Sequence, residues 1–505
     1  MRQGHDSMRH FRIFNFFDSA KLLGTKEQMA IFQWGNTMQS RLLKNTCTGL
    51  VFYFVLGGST AYADGITSDT KKMDAQTAGT NNDSLTYHNI TLYGTIDAGV
   101  SHQTHGVPFN SNAGSGLEYL IAKNSNKSIT AFAPNGLSQS SVGLKGDLEL
   151  VDGLSGIFKL ETGFDPLSLR VADGPASLVD NNGRSLNTQT SNGDSSRAGQ
   201  TFNGAAYVGV KSKDYGILTF GRQNGLLADN VFKYDPNGGS NAFSLIGYSG
   251  ATGGVGDTQD VRLDSSLKYT NQMGPFRMGA QYQFSGTQRA LFRADGISGS
   301  AVEINLGGDY GKFSADVTYS HKNNAISAAP LSAVQLLTLP SNSLAATVSD
   351  NTSYAIMGKY TINLAKIYAG YERIQFSNPS NPLSVGTTDI GGYMLSALTQ
   401  NAYDTNRILQ VYWAGLKYSM TSQLNLTGAY YGYNQNSFAA IGCSDTSNSK
   451  CSGTLNAASL VATYNVMQHL DIYSGIMWSG VHNGLASGYL QNNTVSTMVG
   501  ARFTF

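Results

Sequence analysis

Charge is scarce in this chain. Only 13% of its 505 residues are Asp, Glu, Lys or Arg, well under the usual quarter. The signs almost cancel, at 34 basic and 33 acidic residues, which is not a nucleic-acid binder's balance. Long apolar runs are also missing. After residue 64 none approaches the roughly 18 residues that a spanning helix needs. Mean hydropathy is −0.20, which excludes a bundle of membrane helices. Cysteines number three and prolines 10. Catalytic signatures are absent too. His88, His102, His105, His321, His469 and His482 form no H-E-x-x-H and no Cys–His zinc spacing. No nucleophile elbow, P-loop or G-x-G-x-x-G occurs. Asp180-Asn181-Asn182-Gly183 lacks the spaced ligands and closing Glu of a calcium loop and reads as a polar turn. The expectation is a chain that is not an enzyme, with no cofactor, no metal and no nucleic-acid partner.

What is present begins with an export signal. In residues 38–63, Arg41 and Lys44 precede a short apolar core from Thr48 to Gly57, and Ala61-Tyr62-Ala63 forms an A-x-A cleavage site. That pattern is a secretory signal peptide, too short for a membrane anchor. Residues 1–37 lie upstream of a plausible start at Met38 and read as an over-extended start or a long n-region. Residues 64–88 are polar and aperiodic, a flexible leader. Removing 1–63 takes seven of the 34 basic and three of the 33 acidic residues, leaving 27 and 30, net −3.

From Asn89 to Phe505 apolar and polar residues alternate in sixteen short segments: 89–101, 139–150, 155–165, 202–213, 215–223, 261–271, 275–285, 300–310, 312–322, 352–362, 365–376, 407–419, 422–436, 455–467, 469–482 and 493–505. Successive side chains of a strand point to opposite faces. In 275–285, Phe276, Met278, Ala280, Tyr282 and Phe284 share one face, and Arg277, Gln281 and Gln283 the other. Connections alternate between very short and long. A closed barrel in a bilayer turns its apolar face outward, keeps a polar lumen, and places short turns in the periplasm and long loops outside. The fold expected is therefore all-β: a 16-stranded antiparallel transmembrane β-barrel over 89–505, surrounded by outer-membrane lipid. Tyr269, Tyr282, Tyr310, Tyr360, Tyr371, Tyr412 and Tyr418 fall near strand ends, where interfacial girdles need rings with a polar tip. Cys443 and Cys451, the only pair in the exported chain, flank seven residues of a long loop and are expected to form a disulfide in an oxidising compartment.

Four segments resemble the general trimeric porins of β-proteobacterial type: Asn89–Gly99 (NITLYGTIDAG), Ser140–Phe164 (SSVGLKGDLELVDGLSGIFKLETGF), Phe202–Gln223 (FNGAAYVGVKSKDYGILTFGRQ) and the closing Val499–Phe505 (VGARFTF). The resemblance implies a homotrimer and a third loop, 224–260, folded into the lumen. It also implies that Phe505 and Phe503 belong to a terminal signal read by the barrel-insertion machinery. Loop acids, Asp229 and Asp235 among them, would face the basic wall residues Arg222, Lys145, Lys159, Arg262 and Lys268. Such charge rings set ion preference. Arg222 is awkward, because strict alternation from Leu218 and Phe220 points it at lipid, so a bulge or strand end must reorient it. Ser141 and Gly204 stand where the family commonly carries Arg, which implies a weaker anion bias. Small residues on the first and last strands, Gly94, Ala98, Gly99, Gly500 and Ala501, suit a subunit interface. The function implied is passive diffusion of small hydrophilic solutes and ions through a water-filled pore. The alternative is a substrate-selective channel with a saturable lumen site, in which inward-pointing Tyr431 and Tyr433 would form a binding track.

Overall fold

The computed structural model describes residues 85–106, 119–123, 125–171, 201–246, 261–284, 299–329, 331, 334–383, 389–390, 393–439 and 451–505. The expected signal peptide, most of the expected leader, and Cys443 lie outside these residues. The described part is a closed antiparallel barrel of 16 strands. In chain order they are β1 (Ile90–Gln103), β2 (Ser141–Val151), β3 (Leu154–Gly163), β4 (Ala206–Ser212), β5 (Gly216–Asn224), β6 (Arg262–Met273), β7 (Phe276–Gln283), β8 (Ala301–Tyr310), β9 (Phe313–Ala329), β10 (Leu344–Ile362), β11 (Ala365–Ser377), β12 (Arg407–Ser419), β13 (Leu424–Gln435), β14 (Gly453–Met467), β15 (Leu470–Asn483) and β16 (Asn493–Thr504). Each pairs with the next, and β16 returns to β1 through Thr95↔Thr504 to Gln103↔Ser496. No helix among the described residues is long and apolar enough to cross a membrane.

The period-2 pattern determines the two faces. Phe276, Tyr282 and Phe284 are exposed on the outside, while Gln281 and Gln283 are buried inside. On β13, Tyr430 is 43% exposed and its neighbour Tyr431 is fully covered. A slip by one residue would carry every polar side chain of the strand into lipid, so the register is strongly specified. Outward aromatics form two rows. Tyr319, Tyr354 and Tyr412 stand in the upper row, and Phe313, Tyr360 and Tyr418 six residues away in the lower, roughly 20 Å along the strand at about 3.3 Å per residue. The turns at the other end are tight. Gly274 and Gly311 adopt φ of 58° and 59°, a region that glycine enters without a Cβ penalty.

Apart from local bulges, two of the described regions depart from the expected strand layout. The upper half of β1 does not pair with β2. Residues Ile129–Pro134 take that place, opposite Ala98–Gln103, while β2 pairs only with Ile90–Thr95. The descending strand thus breaks at 135–140. The Asp97 carboxylate holds the break, accepting hydrogen bonds from the Leu137 and Ser138 N–H groups at 2.8 Å each and from the Tyr473 hydroxyl at 2.6 Å. The second departure is at β9 and β10. They run on to Ala329 and from Leu344, through part of the expected loop 323–351, and Tyr393–Thr399 pairs in parallel with Leu344–Thr347. Above the membrane both faces meet water or other loops, so the contrast between faces that marks a strand in sequence disappears there. Cys451 is disulfide-bonded.

The chain end sits at the closing seam. Gly94 and Phe505 exchange two backbone hydrogen bonds at 3.0 Å, and the Phe505 ring lies where a Gly94 Cβ would be. Gly94→Val should therefore displace that ring, at about 1–3 kcal/mol for overpacking. The refolded mutant barrel is expected to unfold at lower urea than wild type in parallel gel-mobility titrations. An unchanged midpoint would remove the seam role of Phe505.

Candidate functional site

The chain leaves the wall at Asn224 and turns into the barrel. Helix α1 (Leu226–Tyr234) starts at Gly225, which has no side chain to cap it. The wall supplies the cap instead: the Leu227 N–H donates to the Glu303 carboxylate at 3.1 Å. An anion at a helix N-terminus contributes typically about 0.3–1 kcal/mol, and up to about 2 when partly buried. Further along the helix, Asn230 donates to Asn305 at 2.8 Å and to Thr318 at 3.0 Å. Lys233 pairs with Asp316 at 2.8 Å, and Arg277 reaches the same carboxylate oxygen at 2.8 Å. Burial pushes the Lys233 ammonium below its ordinary range, and Asp316 opposes that shift. The helix is thereby fastened to β8 and β9.

Beyond the helix the loop crosses to the opposite wall. Trp413 on β12 donates to the Tyr234 carbonyl at 3.0 Å. Tyr431 on β13 donates to Asp235 at 2.7 Å, and Tyr433 to the Leu245 carbonyl at 3.1 Å. Phe243 meets the Tyr473 ring edge-on. Ala242 N–H donates to the Gly136 carbonyl, and Asn241 to that of Asn135, both at 2.8 Å, so the loop tip docks on the strand break described above. Leu227, Val231, Tyr234, Leu245 and Ile246 join wall residues such as Met357, Phe376, Val411 and Trp413 in one apolar cluster. The lumen on this side is a packed core.

The other side is lined with cations. Lys145 on β2 and Lys159 on β3 are register partners, and their ammonium groups lie 5.5 and 5.4 Å from the centre of the Tyr93 ring. Lys145 is exposed although its row points inward, so solvent reaches it. Glu161 sits among them, 3.4 Å from Lys159 and 3.9 Å from Arg262, and accepts from the Tyr93 hydroxyl at 3.1 Å. A Cβ at Gly204 would overlap this carboxylate. Where the resemblance leads one to expect an arginine, the space holds an acid. The sequence reading passed over Glu161, though it lies on the same inward row as Lys159, two residues away.

The remaining expected site residues are dispersed in role. Lys268 pairs with Asp229 and donates to the Asn224 carbonyl at 3.1 Å, so this pair closes the foot of the loop. The β5–β6 ladder bulges between Gly221 and Gln223, with Gly221 at φ 134°. There Arg222 is 7% exposed. It pairs with Asp264, and its Nε and Nη2 donate to the Asn203 carbonyl at 3.1 and 2.9 Å, so it ties chain segments together instead of standing free. Asp235, expected to face the basic wall, is 2% exposed and accepts from Tyr431 and, at 2.7 Å, from the Gly239 N–H. Tyr431 and Tyr433, the expected binding track, are sealed beneath the loop. Asp257 and Asp260, the other two acids of the expected loop 224–260, lie outside the described residues. No group of three or more metal-ligating side chains occurs among the described residues.

A family model described as Gram-negative porin matches residues 54–483. An outer membrane porin protein of Bordetella pertussis is 27% identical over 202 residues, 40% of this chain and 44% of that protein, so the match spans less than half of the relative. An anion-selective porin from Comamonas acidovorans superposes with a TM-score of 0.53 at 15% identity, covering 82% of this chain and 99% of that one. A loop L8 deletion mutant of OmpT from Vibrio cholerae gives 0.50 at 14%, with 82% and 99% covered. At these identities the structural likenesses speak for the fold.

Burial holds the Asp235 carboxyl above the ordinary carboxylate range. The folded state thus favours its protonated form. Its contribution to stability is greatest below the unfolded value of about 3.9 and is lost as pH rises through the raised value. Asp235→Asn should leave the reversal potential of the barrel unchanged, because the carboxylate is not offered to the lumen. Asp235→Ala should cost about 1–3 kcal/mol for each donor left unsatisfied and add closures to single-channel traces. A large selectivity shift in the Asn variant would return Asp235 to the solute path.

Proposed function

Because the chain belongs to the family of Gram-negative porins, we propose that it forms a water-filled channel in the outer membrane through which small hydrophilic solutes and ions diffuse passively. The observation that carries this reading is the exposed, inward-facing cationic row at Lys145 inside a closed barrel whose outer face is apolar. A packed, solvent-free interior would not tolerate it. The saturable alternative is not favoured, since its tyrosine track is covered by the loop. The constriction is set by Lys145, Lys159 and Arg262 on the wall, tempered by Glu161, with the Lys268–Asp229 pair beside them. Closed cyclic symmetry is the usual outcome for a self-associating subunit. A homotrimer through the β1–β16 side, insertion guided by the terminal Phe503 and Phe505, and a Cys443–Cys451 disulfide belong to the same reading.

Planar-bilayer recording tests it. Flux of a neutral sugar should rise linearly with concentration, and saturation would restore the selective alternative. Glu161→Gln should raise the anion-to-cation permeability ratio about fivefold at low salt, since a unit charge about 4 Å away in water is worth about 1 kcal/mol. Lys145→Gln should lower it. Raising salt from about 0.1 M to about 1 M shortens the Debye length from about 10 to about 3 Å and should mute both shifts. Reversal potentials indifferent to both substitutions would place the constriction elsewhere.

A further inference from the structure

The outward face of the barrel carries one anomaly. On β11, Tyr371 and Ile367 are exposed and Glu372, Ile374 and Phe376 are buried, so Arg373 belongs to the outward row. Among the described strand residues it is the one Lys or Arg on that row with no hydrogen-bond or ion-pair partner. Its register partners are Tyr354, in the upper aromatic row and 55% exposed, and Gln410. Two residues further from the turn, Gln375 faces Thr352, whose other register partner is His321. The His321 ring bonds the Thr352 hydroxyl at 2.9 Å. The wall therefore changes from apolar to polar at this level, on the side of the long loops.

An unpaired guanidinium facing hydrocarbon is costly, and the cost falls towards zero only near the headgroups. Arginine's planar fork matches phosphate oxygens bidentately and is less strongly hydrated than an ammonium. Tyr354, the register partner of Arg373, and Tyr371, two residues along the same face, flank it, and a long basic side chain in such a setting can lay its stem on apolar surface with its head at the interface. Strands β10 to β12 lie away from the β1–β16 seam to which the subunit interface was assigned, so lipid meets this face.

We propose that Arg373, with Tyr354 and Gln410 beside it, is a binding site for the phosphate of an outer-leaflet lipid headgroup. This rests on the outer-membrane reading above. The test uses the full barrel in phosphatidylcholine vesicles with and without bisphosphorylated lipid A, comparing wild type, Arg373→Leu and Arg373→Lys. Channel conductance reports insertion separately: a chain that does not insert refutes the membrane reading and not this site alone. Native mass spectrometry of the extracted barrel should show roughly tenfold weaker lipid A retention for Arg373→Leu, the loss of one charge-assisted contact. The lysine variant should be intermediate, because it keeps the charge without the fork. Lipid A stripped of its phosphates should be retained no better by wild type than by Arg373→Leu, and inorganic phosphate at millimolar concentration should not displace the intact lipid. Equal retention of bisphosphorylated lipid A by wild type and the leucine variant would overturn the proposal. So would displacement by inorganic phosphate alone, or an Arg373-dependent contact between barrels in cross-linking.

Discussion

Everything in this structure depends on one requirement: in a lipid layer, each backbone N–H and C=O of the wall must find a partner within the wall. A sheet with two free edges cannot meet it, and a closed sheet can. The last strand therefore pairs with the first, and Phe505 exchanges hydrogen bonds with Gly94 at the seam. The same requirement explains the buried acid where the ladder beside the first strand is interrupted. Residues 135–140 leave the ladder, and the Asp97 carboxylate takes up two of the amides that lose strand partners.

Closing the wall creates an interior, and that interior is divided. On the side of β10–β15 the third loop brings apolar side chains against Met357, Trp413 and Tyr433 and buries them completely, as in an ordinary core. Its polar backbone is satisfied by wall hydroxyls, amides and carboxylates that alternation has already turned inward. On the side of β1–β6 the inward row is charged, and solvent reaches it at Lys145. The loop works as a partition whose position is determined by both walls at once: Glu303 and Asp316 hold its start, Tyr431 and Asn135 its far end. On the proposed reading, ion preference follows from Lys145, Lys159 and Arg262, and Glu161 limits it because it sits within reach of two of the three.

The wall was legible in the sequence almost residue by residue. The expected segment 407–419 is β12, and 365–376 falls one residue short of β11. The segments that escaped notice, Ile129–Pro134 and the upper parts of β9 and β10, lie where one or both faces stop contacting lipid, so the alternation that announces a strand weakens. The lumen was less legible. Parity placed Lys145 and Lys159 on one inward row, which Glu161 shares unnoticed, yet said nothing of which would face open water and which would be covered.

Strand number, register and the apolar-out arrangement follow from the sequence alone, because each residue's environment is dictated by its own parity along a strand whose two sides meet different solvents. The roles of Asp235, Tyr431 and Arg222 were decided only by the tertiary structure. Asp235 and Tyr431 lie 196 residues apart in the chain and meet because a loop crosses the barrel. Arg222 takes its place from a bulge that breaks the alternation. Parity is a local property and survives in sequence. Burial inside the barrel is made by a partner from the far wall, and nothing local encodes it.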